Sequence, residues 1–169
     1  MSVSATVALW RIGSDTPNYT SEDATGAGSA STGGRWNEKG THVVYAASSI
    51  SLACLETLVH IKDGDLPYNR YLVKITVPYA VWKSRSTFDA TNNVGWDALP
   101  FGKVSIDAGT SWIKEQESAL LVVPSVIVPQ EQNVLINPAH PDAATITFAK
   151  VEKWLYDTRL LPAPSKAKK

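Results

Sequence analysis

A single domain of mixed α+β class is what this 169-residue chain predicts. Three observations carry the prediction. Several short runs of β-branched and aromatic residues end at Gly, Pro or Asn, one stretch repeats aliphatic residues at helical spacing, and no internal repeat or linker divides the chain. With 44% hydrophobic and 19% charged residues, one core can be filled, which excludes disorder, collagen and coiled coil. The domain is expected to occupy residues 1–162, leaving a short basic tail over 163–169.

Val7 to Ile12 reads as a strand with Arg11 near its exit. Gly13 to Gly34 is rich in Ser, Thr, Gly, Ala and Asp and reads as one long loop, ending in Gly33-Gly34-Arg35-Trp36-Asn37 and a turn at Glu38-Lys39-Gly40. A second strand follows at Val43–Ala46. Ser48 or Ser49 then caps a helix to about His60, since a serine cap precedes Ile50, Leu52, Leu55, Leu58 and Val59. Arg70–Val77 alternates as a strand that Pro78 stops, and residues 79–100 carry no ordered pattern. A short helix is expected over Asp107–Glu115. Strands are expected at Ala119–Val123, Val126–Val128, Asn133–Ile136 and Thr145–Phe148, with Trp154–Arg159 as a continuation.

Charge and composition remove whole classes of function. Sixteen Lys+Arg balance sixteen Asp+Glu, but Lys166, Lys168 and Lys169 lie in the tail, so the body carries 13 positive against 16 negative charges, and a nucleic-acid-binding body is not expected. No apolar run approaches the ~20 residues of a membrane span, and no basic-then-apolar leader opens the sequence, so a cytoplasmic protein is expected. One cysteine, Cys54, leaves no disulfide framework or cysteine zinc site; it reads as a small buried residue. His42, His60 and His140 lack metal-ligand spacing, so no metal is expected. P-loop, GxGxxG and HExxH patterns are missing, and the six dispersed tryptophans read as packing anchors.

Five residues could carry chemistry. With Leu52 at zero on the helical wheel, Val59 falls near about −20°, Leu55 near −60° and Glu56 near +40°, so a carboxylate borders the expected apolar stripe. Glu56 is then either an edge residue paired with His60 or a partly desolvated carboxylate at a cleft floor, where it would stabilise developing positive charge. Arg35 follows two glycines that allow close backbone approach, and Arg11 sits at a strand exit. They are two surface charges or, in a chain of five arginines, a clamp for a diphosphate. Tyr45 offers either a core ring or a stacking face for an aromatic base. Ser118 lacks a His/Asp constellation or GxSxG elbow, which leaves it a local backbone partner or a hydrogen-bonding group in a site.

Taken together, Trp10-Arg11, Gly33-Gly34-Arg35-Trp36-Asn37, Val44-Tyr45-Ala46-Ala47, Ser51 to Glu56, Ser118-Ala-Leu-Leu-Val-Val-Pro-Ser125 and Asn133-Val-Leu-Ile-Asn-Pro-Ala-His140 resemble the RES-domain family from about Val7 to Leu160. Asp157-Thr158-Arg159-Leu160 looks like the family's closing Asp-Pro-Arg-Leu with threonine in place of proline. The resemblance implies an ADP-ribosyltransferase-like fold with a central split β-sheet and few short helices. It also implies a toxin of a bacterial type II toxin–antitoxin pair that consumes NAD+ as substrate, with no cofactor. Arg35, Glu56 and Ser118 match the arginine, glutamate and serine for which the family is named, and Arg11 and Tyr45 match further cleft positions.

On that resemblance Glu56 would stabilise the ribose as nicotinamide leaves. Arg35 and Arg11 would neutralise the diphosphate, Tyr45 would stack on nicotinamide, and Ser118 would position the ribose or the glutamate. The implied partner is an Xre-like helix-turn-helix antitoxin, with no direct nucleic acid and no membrane; a homo-oligomer is left open. Two activities follow as alternatives, NAD+ cleavage with water or phosphate as acceptor and mono-ADP-ribosylation of a target protein; a non-catalytic protein-binding module is the alternative from another class.

Overall fold

The computed structural model describes residues 5–61 and 67–160; the expected basic tail lies outside them. Seven strands form one sheet: β1 (Thr6–Ser14), β2 (Val44–Ala47), β3 (Arg70–Pro78), β4 (Ser86–Thr87), β5 (Leu120–Pro124), β6 (Gln132–Ile136) and β7 (Thr147–Lys153). Their spatial order is β4-β5-β6-β2-β1-β3-β7, antiparallel except for β4 beside β5. The helices are α1 (Ala27–Thr32), α2 (Ile50–Leu58), α3 (Tyr79–Lys83) and α4 (Lys103–Glu115). Mixed α+β class and a sheet with few short helices are therefore observed.

The sheet opens at one seam. β1 pairs with β3 along its whole length, and β2 pairs with β6 along its own, yet β1 and β2 meet at a single register pair, Trp10 with Ala47. Side-chain alternation then builds different layers on the two faces. Leu9, Val44, Val73, Ile75, Leu120, Val122, Val134 and Ile136 form one apolar cluster that crosses the seam. On the opposite face the core divides. Ile12, Ala47 and Leu72 pack with Leu52 and Ala53 of α2, whereas Val43, Leu121, Val123 and Leu135 pack with Trp36 and with Trp112 of α4.

Several expectations shift in instructive ways. Within the expected loop, residues 27–32 form α1, which Gly33 ends at φ 72°, a left-handed conformation open to glycine. The helix expected from Asp107 begins one turn earlier, at Lys103, and the Gly109 inside it is a close contact: a Cβ there would meet the Trp36 carbonyl oxygen at 2.0 Å. Val126–Val128 is no strand. The Ser125 hydroxyl accepts the Ile127 and Val128 amides, both at 3.1 Å, so these donors close a turn instead of a ladder. Trp154 and Tyr156 leave β7 to pack on α2, the Tyr156 hydroxyl donating to Thr57 at 2.7 Å. The unordered stretch after Pro78 contains α3 and β4.

Candidate active site

A cleft of about 320 Å³ lies at the seam, within the ~300–1,000 Å³ typical of small-molecule sites. Its walls are the end of β1 from Trp10 to Ser14, the strand β2, the Ala53, Glu56 and Thr57 side of α2, and residues between Tyr19 and Ser29. The location follows from the pairing: where two strands share one rung, the space between them is open to ligand.

α2 supplies the carboxylate. Ser49 caps the helix by accepting the Leu52 amide at 3.1 Å, as expected. The buried residues are Leu52, Ala53 and Cys54, while Leu55 and Val59 are exposed, so the expected stripe is rolled toward Ala53. At about 40° from Leu52 and about 60° from Ala53, Glu56 lies in the middle of the sheet-facing side. Its Oε1 accepts the Ser125 hydroxyl at 2.8 Å and the Asn133 side-chain amide at 2.5 Å. Two backbone amides fill the lone pairs of Ser125 Oγ, which directs its proton to Glu56. Oε2 receives no hydrogen bond among the described residues. One oxygen is anchored and the other is available at the wall of the cleft.

The other expected residues divide. Tyr45 lines the cleft, but its hydroxyl accepts the Trp36 amide at 3.0 Å and donates to Asn37 at 2.7 Å; burial pushes its pKa well up. Tyr45 therefore fixes the Gly34–Asn37 turn, which carries Arg35. The Arg35 guanidinium donates from Nη1 to the carbonyls of Trp96 (2.9 Å) and Ala98 (3.0 Å) and lies 5.8 Å over the Phe101 ring. Desolvation lowers its pKa, with Glu56 the leading charge acting the other way, so Arg35 and Glu56 share one electrostatic neighbourhood although Arg35 is outside the cleft lining.

Arg11 lines the cleft, yet it is largely committed to the fold. It donates to the Ser21 carbonyl and, at 2.9 Å, to that of Asp23, and lies 5.6 Å over Phe148. Alternation puts it on the Leu9 face, away from α2, and burial pushes its pKa down to about 10 against the charges of Asp23 and Glu22.

Ser118 is not brought to the cleft. Buried two residues before β5, it accepts Trp112 Nε1 at 2.9 Å and lies 2.8 Å from both Ser86 Oγ and the Leu120 carbonyl oxygen. The serine that touches Glu56 is Ser125, seven residues on and the last residue of the same motif. Ser118→Ala is expected to lower stability by about 1–3 kcal/mol, since the Trp112 indole loses its buried acceptor, while turnover per folded molecule stays within about threefold. Melting curves and kinetics on the same preparation check this; lost turnover at an unchanged melting temperature would return Ser118 to the chemistry.

Ser125→Ala is expected to act on both properties. Two amides lose their acceptor and Glu56 loses one of two donors, so stability falls by about 1–2 kcal/mol and turnover falls by about tenfold, read by calorimetry and initial rates. Sequence reasoning missed Ser125 and Asn133 as site residues, although both close or open motifs it had singled out.

Comparison with known proteins gives the family. The RES domain model matches residues 8–159. The chain is 57% identical over 157 residues, 92% of this chain and 98% of the relative, to the Prs ADP-ribosylating toxin of a Sphingobium species. It is 37% identical to Toxin Res of Yersinia enterocolitica, covering 84% of this chain and 93% of that one. Toxin Res of Pseudomonas putida is 36% identical, with 90% and 98% covered. Matched across nearly all of its described body, with a glutamate from α2 held at an open sheet seam, the chain belongs to the RES-domain family.

Proposed function

We propose that this chain is a toxin that breaks the nicotinamide–ribose bond of NAD+, a substrate and not a resident cofactor, with water or phosphate as acceptor. The observation that carries the reading is the Glu56 carboxylate, anchored through Oε1 by Ser125 and Asn133 with Oε2 left to the cleft. Bond cleavage leaves the electron pair on the pyridinium nitrogen, which becomes neutral, and positive charge grows on the ribose C1′ and ring oxygen. A fixed carboxylate beside that charge is stabilising in a site shielded from water. The acceptor oxygen then bonds to C1′ and releases its proton to solvent. Neutral nicotinamide is a competent leaving group, so these steps call for no proton donor. Tyr45 presents a ring edge or face to the base, and Arg35 adds positive potential near the turn.

A second reading has a specific observation behind it: the relative 57% identical over 92% of this chain is named for ADP-ribosylating Prs. On that reading a protein side chain is the acceptor, and the same bond in NAD+ is broken. The partner proposed for either is an Xre-like helix-turn-helix antitoxin that covers the cleft or sets a charge beside Arg35 and carries any DNA contact itself. No helix among the described residues is long and apolar enough to cross a membrane.

Mass spectrometry of products after incubation with NAD+, with and without phosphate and with added lysate protein, tests both readings. Free ADP-ribose or its 1″-phosphate is the expected result. Label on protein with little free product selects the second reading, and intact NAD+ after hours overturns both.

A further inference from the structure

We propose that Arg70 is the phosphoanion-binding residue of this cleft, and that beside Ser14, its register partner on β1, it holds a phosphate group of the substrate or of the acceptor. The proposal rests on the NAD+ reading only for the source of that anion.

Arg70 opens β3, in register with Ser14 at the end of β1. Leu72, two residues on, packs with Leu52 in the cluster under α2, so alternation sets Arg70 on the α2 face, where Glu56 also stands. Arg70, Ser14, Thr57, His60 and Glu56 line the same cleft. Thr57 is already occupied, donating to the Cys54 carbonyl at 2.8 Å and accepting from Tyr156. On this face of the cleft the guanidinium is therefore that of Arg70.

The three cleft-region arginines differ in what holds them. Arg11 gives Nη1 and Nη2 to two backbone carbonyls, on the other face of the sheet, beside Asp23 and Glu22, which leaves only its Nε. Arg35 lies outside the lining and gives Nη1 to Trp96 and Ala98. The Arg70 guanidinium makes no hydrogen bond to any described residue, and its Nε is buried without a partner. Arg11 Nε and Ser21 Oγ, also on the cleft wall, are buried in the same condition. Buried donors without partners are uncommon in folded proteins, and a planar fork with its donors unspent matches two oxygens of a phosphate.

The test uses the full chain and inorganic pyrophosphate as probe, by calorimetry and thermal shift, on wild type, Arg70→Gln and Arg70→Lys. Wild type is expected to bind and be stabilised. R70Q should weaken binding about 10–100-fold, the range of a lost charge-assisted contact, and R70K should recover part of it. Without probe, R70Q should melt at or above the wild-type temperature, because the group removed has no protein partner. Pyrophosphate binding unchanged in R70Q, or a fall of the probe-free melting temperature by many degrees, overturns the proposal.

The anion's source is read in a Glu56→Gln background, comparing NAD+, nicotinamide riboside and inorganic phosphate. Loss of NAD+ affinity on adding R70Q, with nicotinamide riboside unaffected, assigns the site to the dinucleotide diphosphate. Loss of inorganic phosphate binding with NAD+ affinity intact assigns it to the acceptor. Arg70-dependent pyrophosphate binding in a protein that neither binds nor cleaves NAD+ keeps the site and removes the NAD+ reading.

Discussion

Glu56→Gln is expected to reduce NAD+ turnover by about 10²–10³-fold, the usual loss when one preorganised charge-stabilising group is removed, while the protein melts within a few degrees of wild type. The geometry makes the substitution selective. Ser125 has its lone pairs filled by the Ile127 and Val128 amides and donates to Oε1, and Asn133 donates to the same atom. A glutamine can present its amide oxygen to both donors, so the anchor survives, and what reaches the cleft is a neutral amide in place of an anion. The loss should fall in kcat more than in KM, because the charge that Glu56 opposes exists mainly as the bond breaks. Turnover within tenfold of wild type in E56Q would remove the carboxylate from the mechanism.

Gly109→Ala is expected to give the largest loss of stability, about 3 kcal/mol, at the upper end of what overpacking costs. For a chain of this size that is a fall of roughly 6–12 °C in melting temperature. The added Cβ would sit 2.0 Å from the Trp36 carbonyl oxygen and 2.9 Å from its carbon, atoms of backbone that cannot rotate away. α4 must then shift from the Gly34–Asn37 turn, which is itself fixed by Tyr45 and followed by Glu38, whose amide donates to Thr110 at 3.1 Å. Because Arg35 rides on that turn, NAD+ turnover is expected to fall together with stability. Ser111→Ala, exposed on the same helix, is the control and should change neither.

How much was legible in the sequence depends on the range of the interaction that decides each feature. Strands β1, β3 and β6 and the Ser49 cap of α2 are set by local pattern, and they stand where pattern put them. α1 hides in a Gly/Ser/Thr/Ala run because part of its support comes from beyond its own segment: Asp23 accepts the Ala27 amide locally at 3.1 Å, but Ser29 donates to the Val43 carbonyl at 2.5 Å. Gly109 falls inside the expected helix, but the reason for a glycine there, the Trp36 carbonyl packed against it, is tertiary.

The same holds for the site. Glu56 was readable from helical spacing, and its place between Leu52 and Ala53 makes it more central than an edge residue. The apolar character of Leu55 and Val59 misled, since an aliphatic side chain on a helix can face outward when the sheet lies under another side. Ser125 and Asn133 lie 69 and 77 residues from Glu56 in sequence, and only the β5–β6 turn, with Val123 opposite Asn133, brings them to it. Arg11 was legible as a cleft residue but not as a staple for the Ser21–Asp23 backbone, a role fixed by which face of β1 it occupies.

The lone rung between Trp10 and Ala47 has a mechanical meaning. Sliding or spreading the two half-sheets disrupts almost no ladder bonds there, whereas the apolar layer from Leu9 to Val134 bridges underneath and resists complete separation. The domain is thus compliant on one surface and cohesive on the other, like a book whose spine is oil and whose pages are hydrogen-bonded.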